Sequence, residues 1–337
     1  MFTAVDKSRR PSYHKCPVGP ALRQRRRGGL DRVFERNFGQ ETASVGQLVR
    51  GLGRFGRKVK IVACIPARYS STRFPGKVLA KDTGKFLIQH VYESATTSLA
   101  GQARLIDKVI IAADDQKVVD AAKSFGAECV LTSVRHKSGT DRIAEAIKKL
   151  ADSGQRIAYR NKLTPEPYPL NPDDIIINLQ ADEPEIDPAN IDYVARILID
   201  NSDYPMATLA ADFQNKEQIA DPNIVKVVVT RDEGRGTRDE VFRAIYFSRS
   251  PIPYNREKAG IGEMGQYLRH IGIYAYRKEF LLKITKLPQT PLEKIEKLEQ
   301  LRAIENGYSI LVGKVKHTCD GIDTQQQYAE FVKRYKR

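Results

Sequence analysis

Residues 66–77 read PARYSSTRFPGK and place three cations, Arg68, Arg73 and Lys77, within ten positions, with the hydroxyls of Ser70, Ser71 and Thr72 between them. Guanidinium forks and an ammonium spaced in this way can wrap several phosphate oxygens at once. The loop is no Walker A motif: Ser71 stands five before Gly76, where that motif has Gly, and Val78 follows Lys77 where Ser or Thr is required. A better-known phosphate pattern, G-x-G-x-x-G, occurs just upstream as GLGRFG (Gly51, Gly53, Gly56). Its glycines serve only when they follow a strand and open a helix, so that backbone N–H groups meet a pyrophosphate at the helix N-terminus. Here they precede an apolar, strand-like run and open nothing helical, which marks a chance match.

Two carboxylates are placed to work with this loop. Asp182 lies just past the apolar strand Asp174–Leu179, and Asp323 lies beyond the apolar run Ile310–Lys316, so both can reach one sheet edge and share a metal. For Asp182 a turn or helix N-cap before Pro184 is the plainer alternative. Gln180 and the stretch Ser138–Arg142 offer hydrogen-bonding groups for a base edge or a ribose, and equally a cap for the helix that starts near Thr140.

The elements that must position these groups alternate between strand-length apolar runs and helical patterns, as in a largely parallel sheet with crossover helices. Strands are expected at Lys60–Pro66, Lys108–Ala113, Glu128–Leu131 and Asp174–Leu179, with helices at Phe86–Ser98, Gln116–Phe125 and Thr140–Leu150. The cationic loop then follows the first strand, where open α/β sheets bind their ligands. Ser153–Pro172, with Pro165, Pro167, Pro169 and Pro172, reads as a surface loop. The second half holds strands at Met206–Ala211, Ile224–Thr230, Val241–Ser248 and His270–Tyr276, and one long helix from Pro291 to Asn306, with Pro at its start and Gly307 at its end.

Composition narrows the class. The chain of 337 residues carries +15, yet its first 60 residues hold 15 Lys or Arg against four Asp or Glu, which leaves only +4 for the remaining 277. Basicity therefore belongs to an N-terminal extension, 1–57, which reads as disordered. A miscalled start codon, a targeting peptide and a basic arm for RNA are its three readings, and nucleic acid is expected, if at all, only there. No apolar run approaches the roughly 18 residues of a membrane span. The four cysteines, Cys16, Cys64, Cys129 and Cys319, lie far apart, without a zinc or disulfide pattern, in keeping with a reducing cytoplasm.

The loop, together with Ser138-Gly-Thr-Asp-Arg142, Asn178-Leu-Gln-Ala-Asp-Glu-Pro184, Tyr246-Phe-Ser-Arg-Ser-Pro-Ile-Pro-Tyr254, Leu268-Arg-His-Ile-Gly-Ile-Tyr274, Pro291-Leu-Glu-Lys-Ile-Glu-Lys-Leu-Glu-Gln-Leu-Arg302 and Gly321-Ile-Asp-Thr324, resembles the 3-deoxy-manno-octulosonate cytidylyltransferase family. The resemblance runs from about Lys58 to the C-terminus and makes 58–337 the catalytic domain. It implies an α/β fold of the nucleotide-diphospho-sugar transferase type (Rossmann-like), a mostly parallel mixed sheet flanked by helices, in a cytoplasmic homodimer. It also implies the reaction of CTP with 3-deoxy-manno-octulosonate (Kdo) to CMP-Kdo and pyrophosphate, with Mg2+, for lipopolysaccharide synthesis. By the same resemblance Arg68, Arg73 and Lys77 hold the triphosphate and serve catalysis, with Ser71, Ser138, Arg142 and Gln180 completing the nucleotide site. Asp182 and Asp323 are the metal ligands. An acidic, hydroxyl-rich acceptor asks for an Arg and several polar side chains, and Arg249, His270, Tyr274, Glu296 and Gln300 are the candidates.

Two departures stand out: Ala181 replaces the family's usual Gly, and the Pro-rich stretch is longer than the family's usual connection. Another sugar-acid cytidylyltransferase, a glycosyltransferase of similar fold, and an RNA binder acting through the extension are the competing readings. The cationic loop argues against the glycosyltransferase.

Overall fold

The computed structural model describes residues 58–71, 73–97, 105–152, 157–159, 162–164, 168–231, 241–316, 318 and 320–336. The extension 1–57, with GLGRFG, lies outside the described residues, as does Thr72. Strands β1 (Ile61–Ala67), β2 (Lys108–Ala113) and β3 (Glu128–Leu131) alternate with helices α1 (Leu87–Thr96), α2 (Gln116–Ser124) and α3 (Gly139–Ala151). A hairpin of β4 (Ile157–Tyr159) and β5 (Lys162–Thr164) follows, then β6 (Ile175–Asn178), α4 (Pro188–Asp200), β7 (Met206–Asp212), α5 (Lys216–Ala220), β8 (Lys226–Thr230), β9 (Val241–Ser248) and β10 (Leu268–Arg277). The chain closes with α6 (Lys278–Ile284), α7 (Pro291–Glu296), α8 (Leu301–Glu305), β11 (Ile310–Val315) and α9 (Gln325–Tyr335).

All the strands join one sheet in the order β5-β4-β3-β2-β1-β6-β10-β7-β11-β9-β8. From β3 to β11 the strands run parallel except β10, which pairs antiparallel with both β6 and β7. Antiparallel hairpins β4–β5 and β8–β9 extend the two ends. Alternate residues of the strands feed two helical layers. Ile61, Ala63 and Ile65 pack with α1, α2 and α4, whereas Val62 and Cys64 pack with α3 and α6. Both faces of β1 and β6 are therefore covered, which is why these strands read as unbroken apolar runs.

Two sequence expectations are corrected. The Ser153–Pro172 stretch is not wholly loop, since it carries β4 and β5. The helix expected from Pro291 to Asn306 is two short helices, broken where Lys297 adopts the left-handed conformation at φ +55°. Arg249 explains the break. Its Nε donates to the Glu296 carbonyl (2.7 Å) and its Nη2 to that of Lys297 (3.5 Å), carbonyls that a continuous helix would spend on its own N–H groups four residues on. Ile295, on the first of the two short helices, is left 78 % exposed.

Candidate active site

The chain steps from β1 outward to β2 and β3, then returns to place β6 on the other side of β1, so the sheet's switch point lies between β1 and β6. Cys64 stands opposite Asn178 there. The loops leaving these two strands carry the cations and Asp182. A cleft of about 300 Å³ opens between them, lined by Arg68, Ser71, Arg73, Lys77, Gln180, Asp182 and Asp323 among others.

Lys77 begins a short 3-10 turn, Lys77–Leu79, whose preceding residue Gly76 has φ +69°, a conformation that favours glycine. The turn directs the Lys77 ammonium inward. Its Nζ donates to Asp182 Oδ2 (2.6 Å), Asp323 Oδ1 (3.1 Å) and the Ile322 carbonyl (2.8 Å). Arg73 Nη2 pairs with the other oxygen of Asp323 at 2.9 Å. Asp323 reaches this point because the segment after β11 runs back to the switch point, where Ile322 N–H donates to the Asp182 carbonyl at 2.8 Å. α9 then holds it: Gln327 Oε1 accepts from the N–H groups of Asp323 (2.8 Å) and Thr324 (2.9 Å). Arg68 donates from Nη2 to the carbonyls of His136 and Lys137, each at 3.2 Å.

Gln180 lines a second cleft of about 300 Å³ as well, with Glu183, Arg269, His270, Gly272, Tyr274 and Gln300. Two polar atoms in it, Glu183 Oε2 and Gln300 Nε2, are buried without a hydrogen-bond partner among the described residues. Orphaned atoms of this kind mark a place where a ligand or water completes the bonding. Burial, reinforced by the negative charge of Asp182, pushes the Glu183 carboxyl up to about 8. Burial and the neighbouring Arg269 hold the His270 ring down at about 3, and its Nε2 meets Thr208 Oγ1 at 3.0 Å. Burial also raises the Tyr274 hydroxyl above its ordinary range.

The other candidates are placed differently. Ser138 caps α3, accepting Asp141 N–H at 3.1 Å, which realises the capping alternative. Arg142 is 1 % exposed and lines neither cleft, bonded to Asp114, Thr132 and the Ser133 carbonyl. Arg249 is committed to the carbonyls of Pro222, Glu296 and Lys297, and Glu296 to Ser248 Oγ and Arg249 N–H, so neither lines the second cleft. Arg269, one residue before His270 and paired with Asp320 at 2.5 Å, is the cation that does. Strand alternation alone does not say which face of β10 meets a cavity, so no local pattern singles Arg269 out. Glu183 lies within the Asn178–Pro184 block, where only the fold distinguishes it from a solvated carboxylate. Ala181 lines the first cleft without strain: Ala259 and Lys297 are the non-glycine residues with positive φ among those described. No group of three or more His, Cys, Asp or Glu gathers as a metal cluster among the described residues.

A cationic loop facing paired carboxylates at the switch point of this sheet defines a nucleotidyltransferase of the nucleotide-diphospho-sugar transferase class. The cytidylyltransferase family profile matches residues 62–310. The 3-deoxy-manno-octulosonate cytidylyltransferases of Solibacter usitatus (42 % identity, 79 % of this chain and 91 % of that one) and Thermodesulfovibrio yellowstonii (43 %, 79 % and 94 %) align with it. The chain belongs to the 3-deoxy-manno-octulosonate cytidylyltransferase family. Among solved structures, a CMP:2-keto-3-deoxy-manno-octonic acid synthetase complexed with CTP superposes with a TM-score of 0.65 at 38 % identity, covering 82 % of this chain and 98 % of that one.

Proposed function

We propose that this enzyme transfers CMP from CTP to the anomeric hydroxyl of Kdo and releases pyrophosphate. The observation that carries the reading is the three-way contact of Lys77 with Asp182, Asp323 and the Ile322 carbonyl, which joins the cationic loop to two carboxylates in one cleft. Transfer of a nucleotidyl group needs the α-phosphorus held in line between attacking and leaving oxygens, and its charge neutralised. Arg68, Arg73 and Lys77 meet the triphosphate in this reading, and Ser71 and Gln180 line the same cleft. The adjoining cleft takes the sugar acid. Arg269 offers its carboxylate a counter-charge, while His270, Tyr274, Gln300 and Glu183 face its hydroxyls.

The donor set suits Mg2+, because two carboxylates and a carbonyl already converge on a single cation, the Lys77 ammonium. Asp182 and Asp323 would hold the metal, which when bound neutralises phosphate charge and acidifies the sugar hydroxyl. No protein base is assigned.

Pyrophosphate release from CTP, Mg2+ and Kdo by the purified chain is the expected result. Release with a different sugar acid and none with Kdo would overturn the choice of acceptor. The reading also places the enzyme in the cytoplasm with its nucleotide, as a homodimer. Ile245 on β9, Tyr254 after it and Ile295 on α7 support the dimer, as large apolar side chains that the described residues leave exposed.

A further inference from the structure

One buried ion pair lies behind the cationic loop and lines neither cleft. Arg142, in the first turn of α3, donates from Nη2 to Asp114 Oδ2 (3.0 Å) and from Nη1 to Thr132 Oγ1 (2.8 Å). Asp114 directly follows β2, and its other oxygen accepts the Tyr69 N–H at 2.9 Å. Tyr69 in turn accepts Gly76 N–H on its carbonyl (3.2 Å), which closes the loop between Arg68 and Lys77. A second strut starts one turn further along α3. There Glu145 accepts the Ser133 N–H (3.0 Å) and bonds the His136 ring, and the carbonyls of His136 and Lys137 receive Arg68.

Burying an ion pair adds little net stability over an apolar pair of the same shape, so its worth must be sought in geometry. Here the geometry is specific. A carboxylate whose two oxygens serve a buried guanidinium and one backbone N–H cannot turn without breaking a bond to one of them, and that N–H belongs to the residue after Arg68. Phosphate recognition by several cations tolerates errors of only about half an ångström.

We propose that Asp114 and Arg142 are positioning residues that set the spacing of Arg68, Arg73 and Lys77 for a triphosphate. The inference rests on the reading of that loop given above. It also reassigns Arg142 from nucleotide contact to support of the loop.

The test is calorimetric titration of the full chain with CTP and, separately, with CMP, which lacks the two outer phosphates. Asp114→Asn removes the ion pair, whereas Arg142→Lys keeps a cation against Asp114 and loses only the fork, so it remains informative if the first variant does not fold. Each is expected to weaken CTP at least tenfold with CMP affinity unchanged, and the double variant to be no worse than the more severe single one, as for two members of a single strut. A merely structural role would lower the melting temperature and leave the CTP-to-CMP ratio of the folded protein alone; that result overturns the proposal. So does equal weakening of both nucleotides. Wild-type protein binding CTP no more tightly than CMP would overturn the triphosphate reading, and the positioning role with it.

Discussion

At the scale of single residues the site is a balance of charge. Lys77 shares its ammonium between Asp182 and Asp323, so removing either carboxylate unbalances the cleft as well as the proposed metal position. Asp182→Asn and Asp323→Asn are each expected to slow turnover by roughly 10²–10³-fold, the loss typical of one preorganised electrostatic group. Pyrophosphate release measures it, and full activity in either variant would remove that residue from the metal assignment. Chelation by EDTA should abolish turnover, with Mg2+ restoring it. His270 makes a prediction about pH. Its folded-state value of about 3 lies below the ordinary 6.5, so the unfolded chain binds the extra proton between these values and stability falls as the pH drops below 6.5. Between pH 7.5 and pH 5 the loss is about 2 kcal/mol. Urea unfolding at the two values should show this difference shrinking in His270→Gln.

At the scale of elements, the break between α7 and α8 is the feature most worth testing. Across it the Glu293 carboxylate and the Arg302 guanidinium form a buried pair, with contacts of 2.5 and 2.8 Å, and Arg302 Nη1 also donates to the Ile284 carbonyl at 3.1 Å. Glu293→Ala leaves the guanidinium buried without its carboxylate and is expected to cost about 3 kcal/mol in chemical unfolding. Glu293→Leu combined with Arg302→Met, which buries neither charge, should cost less than that single change. Sequence signals for a helix were sound at both ends here. The Glu293 carboxylate accepts the Thr290 N–H (3.3 Å), Pro291 occupies the first turn, and Gly307 has φ +77°. What the pattern did not contain was Arg249, more than 40 residues upstream, taking the carbonyls in the middle. The strands fared better. Those at Lys108–Ala113 and Glu128–Leu131 have the bounds the sequence implied, because burial on both faces leaves little freedom at their ends.

At the scale of the whole molecule, the candidate site lies at the switch point between β1 and β6, while the excess charge belongs to the sequence of the extension. A chain lacking 1–57 is expected to turn over like the full chain, measured by the same pyrophosphate assay; salt-sensitive RNA binding lost with that segment would instead give it a role of its own. Ile245→Asp should shift the proposed dimer to monomer in sedimentation, and an unchanged mass would place the interface elsewhere. The sequence by itself determined the alternation of strands and helices, the loop of Arg68, Arg73 and Lys77 at a strand end, and the family, because these are local patterns of period, charge and spacing. Only the tertiary structure decided which polar side chains share a cavity. Asp182 and Asp323 meet because the segment after β11 doubles back to β6; Arg142 and Arg249 turn to buried carboxylate and carbonyl partners, and Arg269 to the second cleft. A charged side chain goes wherever oxygen partners offset its loss of water, and those partners lie tens to hundreds of residues away along the chain, beyond the reach of any local pattern.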